Sequence, residues 1–187
     1  RPKNNPLIVH YLNDKVLKKD CSFNKDFLKL YKIFCPGPIT FILDLKKNSK
    51  ISKIVTNKKN TLAIRFPKHP VARSLLKNLD FPLAAPSANI ATRTSTTSIK
   101  DLDDNLKKIF YIDGGASVLG LESTVIQTTN DGCKILRLGS LTIEEIKNKF
   151  SHYIININGS KISPGNQKKH YSPVKPIRIN VDYVKEN

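Results

Sequence analysis

The chemistry this sequence can do is concentrated in a few arginines, hydroxyls and glycines. Arg65 lies inside Thr61-Leu62-Ala63-Ile64-Arg65-Phe66, and Arg137 inside Ile135-Leu136-Arg137-Leu138-Gly139. The chain uses lysine freely elsewhere, so an arginine kept within an apolar strand asks for a reason. A guanidinium grips a carboxylate or phosphate through two parallel hydrogen bonds, where an ammonium is only a point charge. A salt bridge at a sheet edge is the plainer alternative. The loop Ala85-Pro86-Ser87-Ala88-Asn89 follows a short run expected to be a buried strand. Its small side chains let a ligand reach the backbone, although the same residues also make an ordinary turn. Asp113-Gly114-Gly115 and Gly120-Leu121-Glu122-Ser123-Thr124-Val125 join glycines to a Ser-Thr pair that opens a strand. Such hydroxyls can face a cleft, or the pair can simply follow a glycine turn.

The chain has neither a GxxxxGK[ST] nor a GxGxxG phosphate loop. No Ser-His-Asp order and no paired carboxylates stand out. No CxxC or His/Cys cluster suggests a protein-bound metal. The residues by themselves lead to an anion-binding α/β domain and no further.

Alternating short β runs and amphipathic helices must position these groups. Phe23, Phe27, Leu30, Tyr31 and Phe34 recur at helical spacing, which predicts a helix over about 23–33. Pro36-Gly37-Pro38 ends it. Strands are predicted at Ile39–Leu45, Thr61–Phe66, Pro82–Ala85, Ile109–Ile112, Ser123–Thr128, Lys134–Leu138 and Tyr153–Ile157, from β-branched and alternating patterns. Helices are predicted at His69–Leu79 and Ser98–Leu106. Thr142 and Glu145 form a capping box, so another helix runs to about Phe150. Strands and helices mix without a clean βαβ repeat, and the fold class is α/β with a mixed sheet.

Residues 1–158 read as one domain, residues 159–176 as a polar Pro- and Gly-bearing linker, and 177–187 as the start of a second domain. The linker carries Lys168, Lys169, His170 and Tyr171 together, a cluster suited to phosphates and a base and so to a lid over a cleft. The absence of Met predicts that Arg1 opens a fragment or a processed chain, and the lack of anything resembling a signal-peptide cleavage site near it favours a fragment. Three scattered cysteines, Cys21, Cys35 and Cys133, fit a reducing compartment and predict a cytoplasmic protein. No run approaches ~18 apolar residues, so no membrane span is expected. The net charge of +17 attracts phosphates of nucleotides or RNA, or reflects lysines spread over a solvated surface.

Taken in order, these segments resemble the threonylcarbamoyl-AMP synthase family, YrdC-type, over about residues 1–150. The resemblance rests on Arg1-Pro2, Asn5 to His10, Pro36 to Thr40, Thr61 to Pro67, His69-Pro70, Ala85 to Asn89, Asp113 to Gly115, Gly120 with Glu122 to Val125, and Leu136 to Gly139. Ser163-Pro164-Gly165 and His170-Tyr171-Ser172-Pro173 look like the linker of the longer, two-domain members. The resemblance implies a twisted mixed sheet with flanking helices around a concave basic cleft. It implies an enzyme that makes L-threonylcarbamoyl-AMP and pyrophosphate from L-threonine, bicarbonate and ATP with Mg²⁺. The product would pass to a threonylcarbamoyl-transferase machinery for t6A modification of tRNA. By position, His10, Arg65, Ala85 and Ser123 would bind threonine. Arg1, Asn5, Thr61, Ser87, Ser95, Arg137 and Tyr171 would bind ATP. Catalysis would be orientation and charge stabilisation, with no acid–base pair.

Three features depart from the family pattern. Cys35 stands where the family usually has Trp, and the segment after Asn89 keeps Ser95 but loses a glycine and a proline. The family's N-terminal strand and helix, with Pro-Thr-x-Thr-x-Tyr-Gly, would precede Arg1, and a fragment without them is expected to have an incomplete site. Two rival readings are a carbamoyl-adenylate-forming domain of hydrogenase maturation and a non-enzymatic module for double-stranded RNA.

Overall fold

A computed structural model describes residues 6–90, 93–129, 132–150 and 154–155. The elements run in the order β1 (Ile8–His10), α1 (Asp14–Leu17), β2 (Cys21–Ser22), α2 (Lys25–Phe34), β3 (Ile39–Leu45), α3 (Lys53–Thr56), β4 (Thr61–Arg65), α4 (Pro70–Lys77), β5 (Leu83–Ala85), β6 (Thr124–Thr129), β7 (Gly132–Arg137), α5 (Ile143–Lys149) and β8 (Ile154–Ile155). A single 3₁₀ turn spans Ile99–Asp101. The strands form one mixed sheet in the order β5-β1-β4-β3-β6-β7-β8, and β2 pairs with β3 beyond the end of β6. β1–β4, β3–β6 and β7–β8 are parallel, and the other pairings are antiparallel.

The two faces of the sheet follow from the alternation of the strand sequences. Val9, Ile39, Phe41, Leu43, Leu62, Ile64, Ile126 and Ile135 face one side and are buried. α2 lies on that side: the Phe27 ring meets Phe41 edge-on at 5.0 Å, and Tyr31 meets Phe66 edge-on at 4.7 Å. Ile146 of α5 and Phe150 join the same core. The Asn24 side chain caps α2 by accepting from Phe27 N–H, and its amide reaches the Thr129 carbonyl at 2.7 Å. One side chain therefore starts the helix and ties it to β6.

The reading of the sequence holds for most elements, with boundaries within a few residues. The capping box at Thr142 is present in both directions, at 3.2 Å and 2.8 Å. Three expectations fail. The run ending at Ala85, expected to be buried, forms the edge strand β5 with Ala84 and Ala85 exposed. No helix forms over Ser98–Leu106; the 3₁₀ turn gives way to isolated turns. The Asp101 carboxylate takes the Ser98 N–H. Ser98 and Asp101 form a capping box as Thr142 and Glu145 do, but the Asp103 carboxylate then takes the Asn105 N–H, a donor that a continuing α-helix would need. Ile109–Ile112 does not form a strand either, because among the described residues no strand lies alongside it to complete a ladder. Its side chains are exposed, Phe110 fully. β1, α1, β2 and α3 are short elements that the sequence patterns did not mark. The linker at 159–176 and the segment 177–187 lie outside the described residues.

Candidate functional site

On the face of the sheet opposite the main core, the strand register assembles a row of polar residues. His10 of β1 is the partner of Arg65 in β4, Arg65 is the partner of Thr40 in β3, and Thr40 is the partner of Val125 in β6. Val125 in turn is the partner of Arg137 in β7. Directly paired residues share a face, so the row runs His10–Arg65–Thr40–Val125–Arg137 across five strands. A register shift between Val125 and Ile126 sits at its end. Such bulges re-aim a side chain, here that of Arg137. Ala85, the partner of Ile8, extends the face into the Pro86–Asn89 loop.

Ser123 precedes β6 and is the hub of the row. Its hydroxyl lies 2.8 Å from that of Thr40, both residues being buried. Its carbonyl accepts from Arg137 Nη2 at 2.8 Å and Nε at 3.3 Å. Gly139 makes room for this. A Cβ there would stand 2.3 Å from the Glu122 carbonyl oxygen and 2.5 Å from the Ser123 carbonyl carbon. The Ser140 N–H and hydroxyl both reach the Glu122 carbonyl, at 2.8 and 2.9 Å. The Ser123 turn is therefore clamped to the end of β7.

Arg65 differs from Arg137 in its commitments. Its Nε is buried and has no hydrogen-bond partner among the described residues. Burial lowers its pKa, with the Arg137 charge adding to that and Glu122 opposing it. A buried, unpaired guanidinium N–H is costly unless a ligand completes it. His10 is pushed below its ordinary pKa of 6.5, first by burial and then by Arg65. Its Nδ1 lies 3.4 Å from the Leu83 carbonyl. A neutral imidazole beside a guanidinium adds a hydrogen-bonding group without a second positive charge.

The remaining candidates fall on the surrounding loops. The Ser95 hydroxyl donates to Glu122 Oε1 at 2.6 Å, and Glu122 Oε2 stands 3.9 Å from Arg137 Nη2. Ser87 is exposed on the loop after β5. Asn89 ties that loop to the next through the Arg93 carbonyl at 2.8 Å. Thr61 shares the face but sits at the far end of β4, opposite Asp44, some ~13 Å along the strand from Arg65. Arg1, Asn5 and Tyr171 lie outside the described residues. His69 Nε2 is 3.0 Å from the Gly114 carbonyl, which fixes the glycine loop against the start of α4. A Cβ at Gly114 would press on that ring at 2.9 Å.

Sequence reasoning gave no role to Thr40 or Glu122. Thr40 was open to discovery as the polar residue alternating between Ile39 and Phe41. Glu122 carried no such signal, because its partners are brought together only by the fold.

A family model for Sua5, YciO and YrdC proteins, described as telomere recombination, matches residues 1–139. The chain belongs to this family. It is 36% identical over 189 residues to the threonylcarbamoyl-AMP synthase of Bacillus subtilis, covering 96% of this chain and 54% of the relative. It is 33% identical over 222 residues to that of Schizosaccharomyces pombe, covering 100% of this chain and 54% of the relative. The crystal structure of Pyrococcus abyssi Sua5 complexed with L-threonine superposes with a TM-score of 0.78 at 32% identity, covering 92% of this chain and 53% of that one. The chain thus spans about half the length of these relatives. Among the described residues, no helix is long and apolar enough to cross a membrane.

Proposed function

We propose that the protein makes L-threonylcarbamoyl-AMP and pyrophosphate from L-threonine, bicarbonate and ATP. The observation that carries this reading is the buried, unpartnered Nε of Arg65 in a row with His10, Thr40 and Arg137. It is supported by relatives that bear the synthase name and by a structural neighbour crystallised with L-threonine. A carboxylate is the natural partner for that N–H, and the amino-acid substrate has one. Ala85 and Ser123 complete the threonine side. Ser87, Ser95, Thr61 and Arg137 belong to the ATP side, with Arg1, Asn5 and Tyr171 as further ligands. Mg²⁺ enters with ATP as part of the substrate complex.

In this reading the threonine amine condenses with bicarbonate, losing water, to give an N-carboxylate. One oxygen of that carboxylate attacks the α-phosphorus of ATP, and the bond to pyrophosphate breaks. The residues of the row orient the reactants and offset charge; none of them forms a covalent bond. The product is a mixed anhydride that water destroys. It is suited to hand-over to a transferase acting on tRNA, the t6A modification, within the cytoplasm.

The test is direct. Protein incubated with MgATP, bicarbonate and radiolabelled threonine is expected to release pyrophosphate only when threonine is present, with label in an adenylate. Pyrophosphate release that ignores threonine would overturn the reading. So would binding of duplex RNA, steeply weakened by salt, by a protein that binds neither ATP nor threonine.

A further inference from the structure

Glu122 sets a carboxylate beside Arg137 of the row, and the reaction as described has no task for it. Its side chain is 31% exposed. It bridges the Ser95 segment, through the 2.6 Å hydrogen bond, to Arg137 at 3.9 Å. Its backbone cannot drift, because Ser140 holds its carbonyl twice and Gly139 packs under it. Arg65 and Arg137 are three strand spacings apart, about 14 Å between backbones, and Arg65 feels the charges of both Glu122 and Arg137.

We propose that Glu122 is the counter-ion of the Arg65–Arg137 pair and sets how tightly the site holds a polyanion, so that pyrophosphate can leave. This deepens the synthase reading and rests on it. Two guanidiniums on one partly buried surface repel each other, and a fixed carboxylate beside one of them, close enough to act on the other, lowers that cost before any substrate arrives. The same carboxylate repels a phosphate chain. ATP binds with further contacts to its adenosine, which pyrophosphate lacks. A fixed negative charge therefore penalises the product by a larger share of its affinity than the substrate. Glu122 is in this sense a specificity-determining and positioning residue; it takes no proton and forms no bond.

Isothermal titration of pyrophosphate and ATP into the protein and its Glu122→Gln, Glu122→Ala and Glu122→Asp variants tests the idea. Glutamine keeps an acceptor for the Ser95 hydroxyl and drops the charge. Removing one like charge several ångströms from a phosphate in a partly exposed site is worth about tenfold in affinity. Glu122→Gln is expected to bind pyrophosphate about tenfold tighter, and the gain is expected to shrink at high salt. In turnover, kcat and KM for ATP fall together as release slows. Glu122→Ala tightens pyrophosphate binding too, and serves if Glu122→Gln does not fold; Glu122→Asp, which keeps the charge, does not tighten. Unchanged or weaker pyrophosphate binding in a neutral variant that melts like the wild type would overturn the proposal and leave the synthase reading standing. Wild-type protein that binds neither ATP nor pyrophosphate would overturn both.

Discussion

Arg137 donates from Nε and Nη2 to the carbonyl oxygen of Ser123, so one face of its guanidinium is spent on holding the turn that carries the serine. Among the described residues Arg65 has no comparable tie, and its Nε is buried without a partner. Two arginines that look alike as isolated residues in apolar strands thus have different tasks. Arg137 holds the Ser123 turn, and in the proposed reading Arg65 is left for the substrate carboxylate.

Arg65→Ala is therefore expected to weaken threonine binding far more than ATP binding. Loss of a charged, two-pronged contact costs roughly 2–4 kcal/mol. Arg65→Lys recovers only part of this, because an ammonium cannot present two parallel donors. Calorimetric titration of each ligand checks the split, and unchanged threonine affinity in Arg65→Ala would refute the assignment.

Thr40→Val keeps the side-chain volume and removes one hydroxyl. The Ser123 hydroxyl then loses its 2.8 Å partner but keeps Arg137 Nη2 at 3.3 Å. The expected cost is about 1 kcal/mol of stability, with a several-fold loss in threonine affinity. Urea melts and titration measure both; a fall in stability without any change in affinity would make Thr40 structural only.

The signals that were legible in the sequence are local ones. The run Ile39–Leu45 forms β3 residue for residue, since its period-2 pattern is what a sheet with one packed face selects. The Thr142–Glu145 capping box depends on residues three apart and forms as expected. What the sequence hid is contact between distant segments. Thr40 meets Ser123 across a sequence separation of 83 residues, and Ser95 meets Glu122 across 27. Ser98–Leu106 begins as a helix would, with a Ser98–Asp101 capping box, and stops where the Asp103 carboxylate takes the Asn105 N–H. Ile109–Ile112 has the composition of a strand, but a strand is made by its neighbour as much as by itself.

Burial pushes the Cys35 thiol up to about 12. It is thus a thiol and not a thiolate at neutral pH, with little nucleophilic character. Cys35→Ser is expected to leave activity within several-fold, and iodoacetamide at pH 8 to react slowly with Cys35 in the folded protein. Mass spectrometry of the alkylated protein checks this; rapid loss of activity on labelling at Cys35 would contradict it.

Gly139 and Gly115 make a contrast in what a glycine is for. Gly115 has φ +83 with nothing within 4 Å of an added Cβ, whereas Gly139 faces backbone at 2.3 Å. Gly115→Ala is expected to cost about 1 kcal/mol from conformation alone. Gly139→Ala must push the Ser123 turn away from β7, and core overpacking of this kind costs about 1–3 kcal/mol or more. Thermal melts rank the two, and threonine affinity separates them further, because only Gly139→Ala displaces Ser123.

His10 gives the protein a predictable response to acid. Its pKa lies below 6.5 in the folded chain, first because it is buried and second because Arg65 is close. In the unfolded chain it titrates near 6.5. Between the two values the unfolded state binds more protons, so stability rises with pH across that window. The contribution from keeping His10 neutral is complete above the unfolded pKa and is lost as the pH falls through the folded one. Denaturant melts from pH 8 to pH 5 are expected to show stability falling below about pH 6.5. His10→Gln, which cannot be protonated, is expected to flatten that part of the curve. Arg65→Ala removes the second cause and should raise the folded pKa, moving the acid-side loss toward higher pH and making it smaller. NMR titration of the imidazole reads the same shift directly. A His10 resonance that titrates at or above 6.5 in the wild type would contradict the placement of this ring beside the guanidinium.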